Sequence, residues 1–210
     1  MVVMAITGML TTAQAQTSKE VLDKLSAKAK TFKSISADFT STLNNQKAGV
    51  NKTNNGSVKI KGSKYYVNMG DFQIWCDGKT VWNYNKSDNS VTIDNLADVK
   101  DGGFDPSEMF TIWENEFSHE MKNTNATSDG VPCYEVNMYP FDPKKKSYHT
   151  IIMMIDKAKM EIKNVTVRTR ENATITYKIK NFKTSTEIVD SEFVFNKTKF
   201  PGVDEVDNRL

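Results

Sequence analysis

The chain has 210 residues, which suits one domain of ordinary to large size or at most two small ones. Its 28 Lys and Arg face 26 Asp and Glu for a net charge of +2, so the concentrated basic face of a nucleic-acid binder is missing and nucleic acid is excluded as a partner. An aromatic share of 10% excludes a disordered chain, while 38% hydrophobic and 26% charged residues imply a core beneath an extensive polar surface.

The first fifteen residues carry no charge. Val2–Leu10 is an apolar run too short to span a bilayer, and Ala13-Gln14-Ala15 has the A-x-A form of a cleavage signal. Residues 1–15 are therefore expected to be an export signal removed after Ala15, leaving one domain over 16–210. The usual basic n-region is missing, which points to a start upstream, and no Cys follows the cut to carry a lipid anchor. Thr17 and Glu20 then stand at capping-box spacing. Val21, Leu22, Leu25, Ala29 and Phe32 recur at helical spacing, predicting an amphipathic helix that ends near Lys33.

From Ile35 the period changes to two, with Ile35, Ala37 and Phe39 alternating with Ser36, Asp38 and Thr40. The polar stretch Asn44–Asn55 reads as a loop or frayed hairpin end. Short alternating strands follow at Ser57–Lys61, Lys64–Met69, Phe72–Cys76, Thr80–Asn85 and Ser90–Asn95, with turn chemistry at Asp77-Gly78 and Ser87-Asp88-Asn89. Asp101-Gly102-Gly103 is a flexible loop. Asp105-Pro106-Ser107-Glu108 supplies an N-cap, a first-turn Pro and a Glu three residues on, opening a helix over Pro106–Phe117. Met109, Phe110, Ile112, Trp113 and Phe117 make that helix apolar on more than one side, which suits a lid. Strands resume at Phe117–Lys122, Cys133–Tyr139, Tyr148–Ile155, Glu161–Arg170, Thr174–Phe182 and Glu192–Asn196, with Asn123–Gly130 a connection. Eleven or twelve short strands and two or three short helices predict a mainly β fold, a large, strongly curved antiparallel sheet or barrel.

Most strands are apolar on one face. Phe39, Tyr65, Val67, Ile74, Trp82, Tyr84, Tyr134, Val136, Met138, Ile152, Met154, Ile175, Tyr177 and Ile179 are placed together there. A sheet this large needs cover, and two short helices supply only part of it, so an under-filled apolar concavity is one reading and a dry, filled core the other. Catalysis has little support. His119 and His149 lie far apart without a spaced metal partner, and no nucleophile elbow, P-loop or dinucleotide fingerprint is present. Cys76 and Cys133, the only cysteines, could pair in an oxidising compartment or be two small buried thiols. Lys144-Lys145-Lys146 reads first as a solvated loop tip, second as a docking patch for an acidic partner or lipid headgroup.

Four stretches stand out: Phe32-Lys33-Ser34-Ile35-Ser36-Ala37-Asp38-Phe39-Thr40, Asn55-Gly56-Ser57-Val58-Lys59-Ile60-Lys61, Cys76-Asp77-Gly78-Lys79-Thr80-Val81-Trp82-Asn83-Tyr84-Asn85, and Tyr134-Glu135-Val136-Asn137-Met138-Tyr139-Pro140 with the strands up to Phe193-Val194-Phe195. Together they resemble the LolA family of periplasmic lipoprotein carriers. The third, similar to the family's S-D-G-K-T-L-W-x-Y-N, is the most specific. The resemblance implies an unclosed half-barrel of about eleven strands under a helical lid. It also implies a periplasmic location and acyl chains held in an apolar cavity. Candidate lining residues are Phe39, Tyr65, Val67, Ile74, Trp82, Tyr84, Met109, Phe110, Trp113, Met138, Ile152 and Met154. It implies no cofactor, no metal and no enzymatic activity. Implied partners are acylated lipoproteins or lipids, an inner-membrane lipoprotein-release complex and an outer-membrane acceptor, with the chain read as a monomer. One departure stands out: where the family has Arg-Pro after the second strand, with the Arg helping to hold the lid closed, this chain has Lys61-Gly62-Ser63. Lys61 or Lys64 could substitute as a point charge but not as a bidentate donor. The competing expectations are a free-lipid carrier and a half-barrel sensor, although such sensors carry a second domain that this length does not accommodate.

Overall fold

The computed structural model describes residues 16–99 and 106–209. The expected export signal, the Asp101-Gly102-Gly103 loop and the Asp105 cap lie outside the described residues. One curved, unclosed sheet of twelve strands dominates, in the order β12-β6-β5-β4-β3-β2-β1-β11-β10-β9-β8-β7. Two meanders supply eleven of the strands. The first is β1 (Ile35–Asn45), β2 (Val50–Lys61), β3 (Lys64–Asn68), β4 (Phe72–Cys76), β5 (Thr80–Asn85) and β6 (Ser90–Asn95). The second is β7 (Phe117–Ser128), β8 (Val131–Pro140), β9 (Tyr148–Asp156), β10 (Ile162–Thr169) and β11 (Thr174–Thr184). They join where β1 pairs antiparallel with β11, Phe39 opposite Ile179.

Helix α1 (Ser18–Ala29) has the expected capping box, the Thr17 side chain accepting from the Glu20 amide and the Glu20 carboxylate accepting from the Thr17 amide. It stops at Ala29, short of Lys33, because the chain tightens there: Thr31 Oγ1 donates to the Lys28 carbonyl at 2.7 Å, and the Phe32 amide bonds Ala29. Val21, Leu22 and Leu25 are buried against one face of the sheet, here the inner face. That face presents Ile35, Ala37 and Phe39 from β1, Val58 and Ile60 from β2, Val136 and Met138 from β8, and Ile151, Met153 and Ile155 from β9.

Four expectations need correction. The polar Asn44–Asn55 stretch, expected as a loop or a frayed hairpin end, is the fully paired end of a long hairpin, with only Gln46–Gly49 between β1 and β2. Cross-strand polar pairs support it, such as Thr42 with Thr53 at 3.2 Å, so a strand wet on both faces shows no hydrophobic alternation. β7 likewise runs through the expected connection to Ser128, with register shifts near Asn123. The Pro106–Phe117 helix is broken into a 3₁₀ turn (Pro106–Glu108) and the short α3 (Trp113–Glu116), with no side-chain cap at Ile112. Finally, Glu192–Asn196 is not a strand. Asp190–Phe193 is a 3₁₀ turn, and the last strand is β12 (Asp204–Asp207), which pairs parallel with β6 and covers that edge. A four-residue helix, α2 (Leu96–Val99), follows β6.

Candidate apolar binding site

Phe39 on β1, Val58 on β2, Tyr65 and Val67 on β3, Ile74 on β4, Val165 and Val167 on β10, and Tyr177 and Ile179 on β11 bring their side chains together on the inner face. Six consecutive strands thus supply one wall. Met69, in the β3–β4 turn, and Pro106 and Met109, from the segment before α3, complete the lining. The space between them is about 240 Å³. A dry cavity of about 150 Å³ already accepts a benzene ring, so this one has room for an acyl segment. The lining is almost wholly apolar. Tyr177 meets Phe39 edge-on at 5.9 Å, and burial pushes its phenol pKa up, so the hydroxyl stays neutral.

The cavity exists because the cover is uneven. α1 packs near β7, and its Ser26 hydroxyl donates to the Phe110 carbonyl at 2.9 Å. Lys30 pairs with Glu114 at 2.9 Å and holds that carboxyl below its usual range. These contacts dock the 106–116 segment beside α1 and leave its Pro106–Met109 end over strands β1 to β4. Phe110 and Trp113 are buried, with Phe110 near Phe182 at 6.4 Å and bordering a separate recess formed with Phe32, Ile35 and Ile60. The Trp113 indole N–H has no hydrogen-bond partner among the described residues.

Of the residues expected to line a cavity, Phe39, Tyr65, Val67, Ile74 and Met109 do so. Phe110, Trp113 and Met138 belong to the packed core beside it. Trp82, Tyr84, Ile152 and Met154 do not reach it. Val81 points inward, so Trp82 and Tyr84 point outward, where they join Trp75, Tyr66 and Val91 beneath Phe195, Phe200 and Val203 of the C-terminal segment. Ile151, Met153 and Ile155 take the inner face of β9, leaving Ile152 opposite Thr166 and Met154 opposite Asn164 on the outer one. Both strands are apolar on successive residues, so alternation alone does not say which set faces in. Sequence reasoning left out Val58, Met69, Pro106, Val165 and Val167, and set Tyr177 and Ile179 on the inner face without assigning them to the site. Register was the usable signal, since Val67 pairs with Val58 and Ile179 pairs with Phe39.

Cys76 and Cys133 are both buried free thiols on well-separated strands, so the pairing considered from sequence is not made, and burial raises the Cys133 pKa. His119 bonds Ser18 at 3.0 Å and His149 bonds Thr150 at 2.8 Å, each apart from the other. Lys61, in the Lys61-Gly62-Ser63 stretch, reaches neither α3 nor α1. Its ammonium donates to the Ile188 carbonyl at 2.9 Å and to Asp190 at 2.8 Å, and Lys64 donates to the other Asp190 oxygen at 2.6 Å. The lysines therefore fasten the C-terminal segment.

The model of the family described as outer membrane lipoprotein carrier protein LolA matches residues 9–173. The chain belongs to the LolA family. Its matched part includes β1 to β10, and hence most of the cavity wall. Among solved structures, an uncharacterized conserved protein from Thermus thermophilus aligns at TM-score 0.59 and 11% identity, over 90% of this chain and 98% of that one. A LolA-superfamily protein from Nitrosomonas europaea aligns at TM-score 0.46 and 10% identity, over 86% and 99%. The lipoprotein LppX from Mycobacterium tuberculosis aligns at TM-score 0.44 and 12% identity, over 82% and 98%. The likeness to the Thermus thermophilus protein is one of fold. No curated protein matches the sequence.

Proposed function

We propose that this LolA-family chain is an exported carrier, not an enzyme, that holds the acyl chains of lipoproteins in the inner-face cavity, crosses the periplasm with them and passes them toward the outer membrane. The partially lidded apolar cavity, bounded by Phe39, Val67, Ile74, Met109 and Tyr177, carries this reading. Burying an acyl chain there gains about 0.8 kcal/mol per methylene, a non-directional grip that tolerates different cargo. An inner-membrane release complex and an outer-membrane acceptor are the partners such a role requires.

Mass spectrometry of solvent extracts from native protein tests the cargo. Acylated peptides support the carrier, whereas phospholipid alone makes it a free-lipid carrier. Binding of a fluorescent fatty acid tests the site. Val67→Phe, which fills space equal to about two methylenes, should weaken binding about tenfold, while Trp82→Ala on the outer face should leave it unchanged. Affinity should vary little with salt, because the contacts are apolar; a steep decline with ionic strength would put charge in control.

A further inference from the structure

We propose that the loop between β8 and β9 is a docking tip for an anionic lipid bilayer. Phe141 is 67% exposed, the most exposed large hydrophobic side chain among the described residues. Leaving a whole aromatic ring in water is unfavourable, yet the backbone around it is pinned. The Phe141 amide donates to the Glu116 carbonyl at 2.9 Å, and Asp142 accepts from the Lys144 amide at 3.1 Å. Arg170, in the turn after β10, closes the loop, its Nε donating to the Lys146 carbonyl at 3.1 Å and its Nη2 to the Pro143 carbonyl. The ring is thus presented on a rigid turn and does not fold back onto the protein.

The charge beside it is net positive, the exposed Asp142 carboxylate next to the ring offsetting only one of the lysines. Lys146 is tied to Glu116 at 3.1 Å, but Lys144 and Lys145 are exposed and make no ion pair among the described residues. One exposed ring flanked by two free ammonium groups fits a bilayer surface: the ring enters the boundary between headgroups and acyl chains while the lysines meet lipid phosphates. A protein partner fits poorly. One Phe offers roughly 150–250 Å², well short of the roughly 800 Å² per partner in a stable protein interface. Strand alternation places this loop at the same end of the sheet as the β3–β4 turn, whose Met69 lines the cavity. Docking would bring that end to the membrane, and the proposal does not depend on what the cavity carries.

The test is co-sedimentation of the full chain with vesicles of phosphatidylcholine alone and of an equal mixture with phosphatidylglycerol. The mixed vesicles should be bound and the neutral ones not. Phe141→Ser and the double variant Lys144→Ser/Lys145→Ser should each weaken that binding about tenfold and leave fatty-acid binding and the urea midpoint unchanged. Lys180→Ser/Lys183→Ser, which removes the same charge elsewhere, should have no effect. Equal binding to neutral vesicles, wild-type binding by the loop variants, an equal loss in the Lys180/Lys183 control, or tighter binding to polyglutamate than to the mixed vesicles would each overturn the proposal.

Discussion

At Gly56 the fit between a strand and the cavity rests on a missing methyl group. The residue lies opposite Phe39, and a Cβ there would stand 2.4 Å from the Phe39 ring and 2.6 Å from the Asn68 carbonyl. Glycine in a strand interior costs stability, so its presence here marks the space that the Phe39 ring occupies. Gly56→Ala should destabilise the fold by about 1–3 kcal/mol, overpacking outweighing the gain in strand propensity, as read from the urea midpoint. Phe39→Leu in the same chain should recover part of that loss, and a double-mutant cycle measures the coupling. Purely additive effects would mean that the ring and the glycine are independent. Trp113 offers a contrast at this scale. It is 4% exposed and packed in the core, so Trp113→Ala should cost about 3–5 kcal/mol in global stability, beyond any local effect on fatty-acid binding.

Among the elements, the C-terminal segment 185–209 behaves as a strap across the outer face. Its Phe195 and Phe200 stack at 4.9 Å and both meet Trp75 edge-on, while β12 closes the β6 edge. Phe200→Ala should loosen the strap, seen as faster proteolysis within 185–200, with fatty-acid binding unchanged because the cavity lies on the other face. The strap is also fastened at Asp190. Hydrogen bonds from Lys61 and then Lys64 hold its carboxyl at about 2, below the ordinary 3.8. A carboxyl whose folded pKa is depressed contributes stability that is fully present above its unfolded value and is lost as pH falls through the folded one. That contribution therefore disappears between about pH 4 and pH 2. The difference in urea midpoint between neutral and acid pH should be smaller in Asp190→Asn than in the native chain. An equal difference in the two proteins would show that Asp190 does not contribute to the acid response.

For the whole molecule, joining two meanders through β1 and β11 sets Phe39, Tyr177 and Ile179 at the centre of the sheet, with cavity-lining strands on either side. α1 covers the β7 side, so the unfilled volume falls on the side of β1 to β4. Larger side chains on the sheet wall should shrink it. Val58→Leu with Val165→Leu should fill part of the cavity, raise stability modestly and weaken fatty-acid binding, a trade-off measurable by urea unfolding and probe titration on the same protein.

The sequence by itself determined the capping box at Thr17 and Glu20, the strand spans Phe72–Cys76, Thr80–Asn85 and Ser90–Asn95, and the half-barrel class, because each follows from local chemistry or from a family pattern. It placed Phe39, Tyr65, Val67 and Ile74 on one face because polar neighbours alternate with most of them. The tertiary structure alone decided which way Trp82, Tyr84, Ile152 and Met154 point, since strands apolar on both faces carry no phase, and burial beneath the strap or against α1 breaks the tie. It alone revealed the polar β1–β2 hairpin, which cross-strand hydrogen bonds sustain without hydrophobic alternation. It alone gave Lys61 and Lys64 their partner, because Asp190 lies more than a hundred residues away and only the returning strap brings the charges together.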